Sequence, residues 1–296
     1  MKRSLPIHWP RVLLQSAALL FLLLFCLNFL LSPARGRDEG YLYVYALDVG
    51  QSEATLVTTG DFVMLVDCGS ATERAALLYE LARYGIERID VLFLTHPHED
   101  HVGNARYLLE YMAVGQVLLP EASSEESAWV LLQTALDGRA TRLHTGYTFP
   151  LGGAVCEVLS VGNATGQEAE NEASAVLRMV FGTQVFLFMG DAGAKTEAAL
   201  LDSYGAAYLD CDFVKIGHHG SDGSTTTEFL WAATPAAVSI SCGKDNSFGF
   251  PHARVLNDLN ALGVHIARTD LDGTVVFGTN GLELRRIYET KGGFGR

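Results

Sequence analysis

The sequence predicts an α/β protein built of layered sheets around one core. Three observations carry that prediction: short apolar runs of strand length recur along the chain, segments with helical spacing alternate with them, and polar clusters follow several of the runs. Residues 41–47, 54–58 and 62–66 read as strands, the last two joined by the turn Thr59-Gly60-Asp61. Residues 71–84 have helical spacing, 89–94 form a short apolar strand, and a second helix is expected to start after His101 and reach about 112. A strand at 116–119 precedes a helix at 125–136 carrying Trp129, Val130, Leu132 and Leu136.

Two strand pairs follow, near 155–159 and across 175–189, with Gly182-Thr183 turning the second. Residues 162–172 between them read as a surface loop. Strand and helix then alternate at 213–216, 226–232, 237–240, 253–262 and 264–267, and 275–277 with 282–287 form a closing hairpin. Early and late halves each supply strands, helices and a polar cluster at a strand end. No short-period repeat is present, and the Gly-rich tail 291–296 is expected to be flexible.

Composition bounds the function. The 296 residues suffice for a substantial core, and 49% hydrophobic residues with 30 Gly and 8 Pro read as folded and turn-rich. The net charge is -13; setting aside the three basic residues Lys2, Arg3 and Arg11 leaves 18 basic against 34 acidic side chains, a charge of -16 on the rest. A surface of that sign repels phosphate backbones unless a metal or a local patch reverses the field, which excludes tight nonspecific nucleic-acid binding. Arg83, Arg88, Arg142, Arg178 and Arg268 are scattered, so folding would have to assemble such a patch. Cys68, Cys156, Cys211 and Cys242 show no CxxC pairing; buried thiols are the preferred reading over disulfides.

Lys2, Arg3 and Arg11 precede residues 12–31, which carry no charge for about 30 Å of helix, enough to span a hydrocarbon layer. The basic flank places the remainder outside, either on an uncleaved anchor, the preferred reading, or after signal cleavage near Ser32-Pro33-Ala34. The chain therefore divides into a basic flank 1–11, the anchor or signal 12–31, a linker 32–40, one domain 41–290 and the tail 291–296.

The chemistry is concentrated after the strand ending at Leu94. His96, His98, Asp100 and His101 place four metal donors within six residues, and Pro97 disfavours a continuous helix, so a loop is expected to converge them. Burying that many polar groups as ordinary core would leave each needing a partner. Imidazole and carboxylate donors suit zinc, and manganese or iron where carboxylates contribute.

The HxHxDHxG loop, the turn Asp67-Cys68-Gly69, Gly190-Asp191 after a strand, and His218-His219-Gly220-Ser221 after another resemble the metallo-β-lactamase superfamily. Within it, Asn171-Glu172-Ala173-Ser174, Gly190-Asp191-Ala192-Gly193, residues 215–221 and residues 269–273 resemble the hydrolase-like domain of the ComEC/Rec2 DNA-uptake proteins; the late HHG pattern is also similar to teichoic-acid phosphorylcholine esterases. The resemblance implies a four-layer αββα sandwich with one or two divalent cations, zinc or manganese, at a sheet edge. It places His96 and His98 at the first position, and Asp100, His101, Asp191 and one late histidine at the second, with Asp191 shared. His218 is the expected ligand over His219, since adjacent side chains leave a strand in opposite directions. Asp67 would orient a ligand histidine, and His252 would orient substrate or ligands. The departure from the wider family is the lack of a histidine between the early loop and Asp191 other than His144, which sits in no matching motif.

The resemblance implies a metal-dependent phosphodiester hydrolase with single-stranded or duplex DNA as substrate, alone or beside a separate uptake channel. Two cations would activate water and stabilise charge at phosphorus; one would need a further donor such as His219, His252 or Lys215. A cell-envelope phosphoester such as a choline substituent is the second enzymatic reading, with Tyr147, Phe149, Trp231, Phe248 and Phe250 as wall candidates. A non-catalytic binding module is the third.

Overall fold

Two mixed sheets lie face to face in the computed structural model, which describes residues 40–136, 138–162, 167–290 and 293–294. The first contains β1 (Leu42–Ala46), β2 (Thr55–Thr59), β3 (Phe62–Val66), β4 (Arg88–Phe93), β5 (Ala113–Leu119) and β6 (Ala140–Arg142). The second contains β7 (Thr148–Leu151), β8 (Ala154–Ser160), β9 (Val176–Phe181), β10 (Gln184–Phe188), β11 (Phe213–Lys215), β12 (Ala237–Ile240) and β13 (His265–Arg268), in the order β13-β12-β11-β10-β9-β8-β7. β14 (Val275–Thr279) and β15 (Leu284–Ile287) return to the first sheet, whose order is β15-β14-β1-β2-β3-β4-β5-β6. Each sheet is antiparallel in one half and parallel in the other: β3 to β6 run parallel, as do β10 to β13.

Strand alternation sorts the side chains into layers. Leu42, Val44, Met64, Val66, Val91 and Phe93 of the first sheet meet Phe186, Phe188, Phe213 and Ala267 of the second in the central core. Their strand neighbours Tyr45, Val63, Leu65 and Leu92 turn outward onto α1 (Arg74–Arg83), α2 (Glu99–Val102), α3 (Ala105–Tyr111) and α4 (Ser127–Leu136). Leu187, Val214 and Val238 likewise pack against helices placed after α5 (Gln167–Glu172): α6 (Ala194–Tyr204), α7 (Ala206–Leu209), α8 (Thr227–Ala233) and α9 (Ala253–Leu262). One further short helix, α10 (Thr269–Asp272), follows β13. The result is the expected αββα order, each sheet buried on both faces.

Several elements differ from the sequence expectation. Part of the presumed loop 162–172 is α5, and α6, α7, β6 and β7 stand where no element was expected. Residues 71–84 divide into a 3₁₀ turn at Ala71–Glu73 and α1, and α2 begins at Glu99, so the ligand loop is helical over its second half. Gly293–Phe294, placed in the expected flexible tail, pairs antiparallel with Glu289–Thr290. No helix among the described residues is long and apolar enough to cross a membrane; the anchor or signal at 12–31, with its flanks, lies outside the described residues.

Phe213 links the two sheets, its ring 5.8 Å from Phe186 on its own sheet and 5.1 Å from Phe277 on the other. Phe213→Ala should cost about 3–5 kcal/mol of unfolding free energy, measured as a lowered midpoint in urea with an unchanged slope.

Candidate metal centre

Parallel strands share an end, and the carboxyl ends of β3, β4, β10, β11 and β12 meet at one edge of the sandwich. Asp67 follows β3, Thr95 to His101 follow β4, Gly190-Asp191 follows β10, His218-His219 follows β11 and Ser241 follows β12. Gly190 permits a close approach: it has φ +54°, and a Cβ there would lie 2.9 Å from the Thr95 Cβ. The Asp191 amide donates to Ser174 Oγ at 3.0 Å, fixing the carboxylate between the two sheets.

The donors fall into two groups, His96, His98 and Asp191 in one and Asp100, His101 and His219 in the other, with the ligand atoms of each group within 4.8 Å of one another. Asp191 belongs to both by geometry. Its Oδ2 lies 3.8 Å from His96 Nε2, while its Oδ1 lies 3.2 Å from His101 Nε2 and 3.8 Å from His219 Nε2. Asp100 Oδ2 adds contacts of 3.3 Å to His219 Nε2 and 3.8 Å to His101 Nε2. Two donors on one cation at metal–ligand distances of about 2.1 Å are separated by roughly 3.0–3.4 Å, so these spacings need only a small contraction.

Local hydrogen bonds decide which ring nitrogen faces the cluster. The Ser241 carbonyl, 2.9 Å from His219 Nδ1, can only accept, so Nδ1 carries the proton and Nε2 is left as the donor atom. Asp67 Oδ2 accepts from His101 Nδ1 at 2.7 Å with the same outcome, and Thr95 Oγ1, which donates to Asp67, accepts from His96 Nδ1 at 3.0 Å. The Thr95 amide also donates to Asp67 at 2.8 Å. Consequently Nε2 of His96, His101 and His219, together with Nε2 of His98, are buried without hydrogen-bond partners. Each orphan of this kind costs about 1–3 kcal/mol, and a cation in each group removes that cost; the nitrogen and oxygen donor set fits zinc, manganese or iron.

The electrostatics agree. Burial opposes ionisation of Asp191, but His101 and His219 outweigh it and hold the carboxyl well below the carboxylate range. Asp100 is lowered in the same way by His101 and His219 against its burial. Burial also opposes charging of His101 and His219, yet Asp191 leads the carboxylates that raise both, His101 strongly. His96, dominated by burial and then by the His101 charge, is held well below the imidazole range.

The match to the Metallo-beta-lactamase superfamily family model runs over residues 47–243, from the first sheet through the last of these strand ends. The chain belongs to the metallo-β-lactamase superfamily. It is similar to ComE operon protein 3 of Bacillus subtilis, 32% identical over 67% of this chain and 25% of that protein, and to competence protein ComA of Neisseria gonorrhoeae, 29% identical over 84% of this chain and 34% of that protein. The chain thus spans about a quarter to a third of the length of these relatives. Among solved structures, the metallo-beta-lactamase fold protein YhfI from Bacillus subtilis matches with a TM-score of 0.55 at 12% identity, covering 81% of this chain and 99% of that one, which shows the fold.

Within this superfamily site, the two late histidines depart from the expectation. His219, not His218, stands with Asp100 and His101. Alternation along an extended strand does not apply, because both residues adopt left-handed backbone, with φ 47° and 52°, in the 3₁₀ turn Gly217–Gly220. That curl directs both rings to Asp191 on opposite oxygens, His218 Nε2 lying 3.8 Å from Oδ2. His218 remains 30% exposed and faces the pocket, and burial lowers its pKa.

Other expected residues stand apart. His252 accepts the Asp222 amide at Nδ1 (2.8 Å) and is separated from the histidine pair by the Phe250 ring, so it orders the loop after the HHG turn and contributes no donor to either group. Lys215, suggested as a leaving-group donor, is buried in a 2.6 Å ion pair with Glu53. His144 is exposed beside Tyr147. Of the wall candidates only Phe248 and Phe250 line the pocket. Arg83, Arg88, Arg142 and Arg268 pair with acids elsewhere, and Arg178 stacks on Tyr208. Sequence reasoning missed Thr95, Ser241 and Glu170, whose Oε2 lies 3.2 Å from His98 Nε2; Thr95 alone was legible, as the residue preceding the ligand loop.

Because the neighbouring carboxylates raise His101 strongly and His219 as well, a cation competes with protons at these imidazoles, and affinity should rise with pH through the imidazole range. Loading at neutral pH should release about one to two protons per chain, read with an indicator dye in weakly buffered solution. Asp67→Asn should reduce that release and weaken metal affinity about 10–100-fold.

Proposed function

We propose that this domain hydrolyses phosphodiester bonds in DNA, favouring single strands, with divalent cations held by the two donor groups. The observation that carries the reading is Asp191, whose two oxygens face two separate nests of imidazoles at the floor of an open pocket of about 490 Å³. Cations bound there would act as Lewis acids toward a phosphoryl oxygen and acidify the attacking water. Asp191, Asp100, His101 and His219 would hold the second position, and His96 and His98 with Asp191 the first. His218, the exposed imidazole of the cluster, would meet the substrate.

Substrate class is read from the pocket wall. Phe250 stacks on His219 with an interplanar angle of 15°, and Phe248 stacks on Phe250 at 5.4 Å and 15°, its ring 61% exposed. The ladder runs from a ligand imidazole to solvent and suits the face of an unpaired base, a contact worth about 1–3 kcal/mol. The names of the relatives, which include recombination protein 2 of Haemophilus influenzae, support a place in DNA uptake. A second reading, hydrolysis of a choline phosphoester, is favoured by Glu99 and Glu126 in the same lining.

Purified protein should cleave end-labelled single-stranded DNA only with Mn²⁺ or Zn²⁺, and Asp100→Ala should abolish cleavage. Phe248→Ala should raise KM for single strands about 5–100-fold and leave a small phosphodiester unaffected. Preferential turnover of a choline phosphodiester would move the assignment to envelope chemistry; no turnover by folded, loaded protein would reject both. The same proposal places the domain outside the cell on the 12–31 segment, beside a separate channel. Added protease should then digest residues 41 onward in intact cells, and protection there would overturn that placement.

A further inference from the structure

Both donor groups straddle the seam between the two sheets. At the second position Asp100 and His101 arrive from the first sheet and Asp191 and His219 from the second, with Asp100 Oδ2 3.3 Å from His219 Nε2. At the first position His96 and His98 face Asp191 across the same seam. Donors delivered by different sheets must be held to within about 0.5 Å by neighbours that are themselves locked in place.

Each position has its own polar tie across the seam. Beside the first, the Ala175 amide donates to the Thr95 carbonyl at 2.8 Å, one residue before His96, and Ser174 accepts from the Asp191 amide. The tie beside the second is charged. Glu53, in the loop 47–54 between β1 and β2, has its Oε2 2.6 Å from Nζ of Lys215, the last residue of β11. The two residues are 2% and 3% exposed.

Each partner is also bonded to backbone that leads into the donors. The Glu53 amide donates to the Asp100 carbonyl at 3.1 Å, and the Glu53 carbonyl accepts from the Gly69 amide at 2.8 Å, two residues after Asp67. Glu53 Oε1 accepts from Thr55 Oγ1 at 2.8 Å, which fixes the carboxylate. Lys215 Nζ donates to the Ile216 carbonyl at 2.9 Å, at the entry to the left-handed turn that carries His219. Gln51 of the same loop accepts from the Gly243 amide at 2.8 Å, two residues beyond the Ser241 carbonyl that holds His219 Nδ1. Neither Glu53 nor Lys215 belongs to a donor group or lines the pocket, so any effect on the site passes through the residues they hold.

We propose that the Glu53–Lys215 pair positions the second cation site, fixing Asp100 and His101 relative to His219, while the Thr95–Ala175 bond serves the first; this rests on the metal-centre reading above. A buried ion pair is often no more stabilising than a well-packed apolar pair of similar volume, so stability alone does not account for the two charges.

The test uses the full chain, stripped of metal and titrated with Mn²⁺, with bound metal measured by mass spectrometry and the urea midpoint of each metal-free variant as the control for folding. Glu53→Gln and Lys215→Met each leave one charge unpaired and should lower that midpoint, whereas the double variant Glu53→Gln/Lys215→Met should recover much of it. The double variant should nevertheless bind one of two cations about 10–100-fold more weakly than the parent, and the spin-coupled Mn²⁺ resonance of the parent should give way to an isolated-ion spectrum. Added to Asp100→Ala, the double substitution should leave the remaining cation unaffected. Glu53→Asp, which keeps both charges and draws the carboxylate back by one methylene, should weaken the same cation and serves if the other variants fail to fold. A folded double variant that keeps both cations at parental affinity makes the pair a matter of stability and overturns its positioning role, as does equal weakening of both cations. A folded parent that binds no cation overturns the metal centre and the positioning role together.

Discussion

The site depends on one buried carboxylate that two sets of imidazoles share. Asp191 is 3% exposed and would be costly to ionise alone, yet the histidines around it more than offset burial. Its placement requires the parallel half of each sheet, since only parallel neighbours deliver successive loops to the same edge. The β3–β4 pair brings Asp67 to the ligand loop, and β10–β11–β12 bring Asp191, the histidine pair and Ser241. The antiparallel halves have a different role: they extend the apolar faces that hold the two sheets together.

The layered fold was legible because alternating strands and apolar helices leave strong periodic signals, and the early donor loop because its polar density has no core explanation. What was missed has identifiable physical causes. β7 contains Pro150, tolerated because this is an edge strand, and the proline weakened its strand signature. α6 buries Thr196 and Glu197 beside Leu200, Glu197 accepting from the amides of Thr225 and Thr226, so hydrophobic spacing understated it. Strand alternation does not describe His218-His219, because two successive left-handed residues curl the backbone there and turn both rings toward Asp191. Glu170 was hidden in a segment read as loop.

The acidic surface and the candidate phosphate site are reconciled by scale. The arginines that might have formed a track are engaged with acids or an aromatic ring away from the pocket. Attraction for an anion must then come from the floor of the pocket, and it falls off within about 8–10 Å at physiological ionic strength. Recognition beyond that distance is left to contacts that do not depend on charge, of which the Phe248–Phe250 stack is the clearest on this surface.

The cysteines give the fold a further property. Cys68, Cys156, Cys211 and Cys242 are buried and unpaired, and burial raises every one of these thiols, Cys156 and Cys242 to about 12. Neutral, enclosed sulfurs are poor nucleophiles, slow to oxidise and unable to compete for soft metals. The described domain thus needs no disulfide to close and offers no thiolate to be damaged. The packing of the described domain therefore owes nothing to a cross-link that reduction could open.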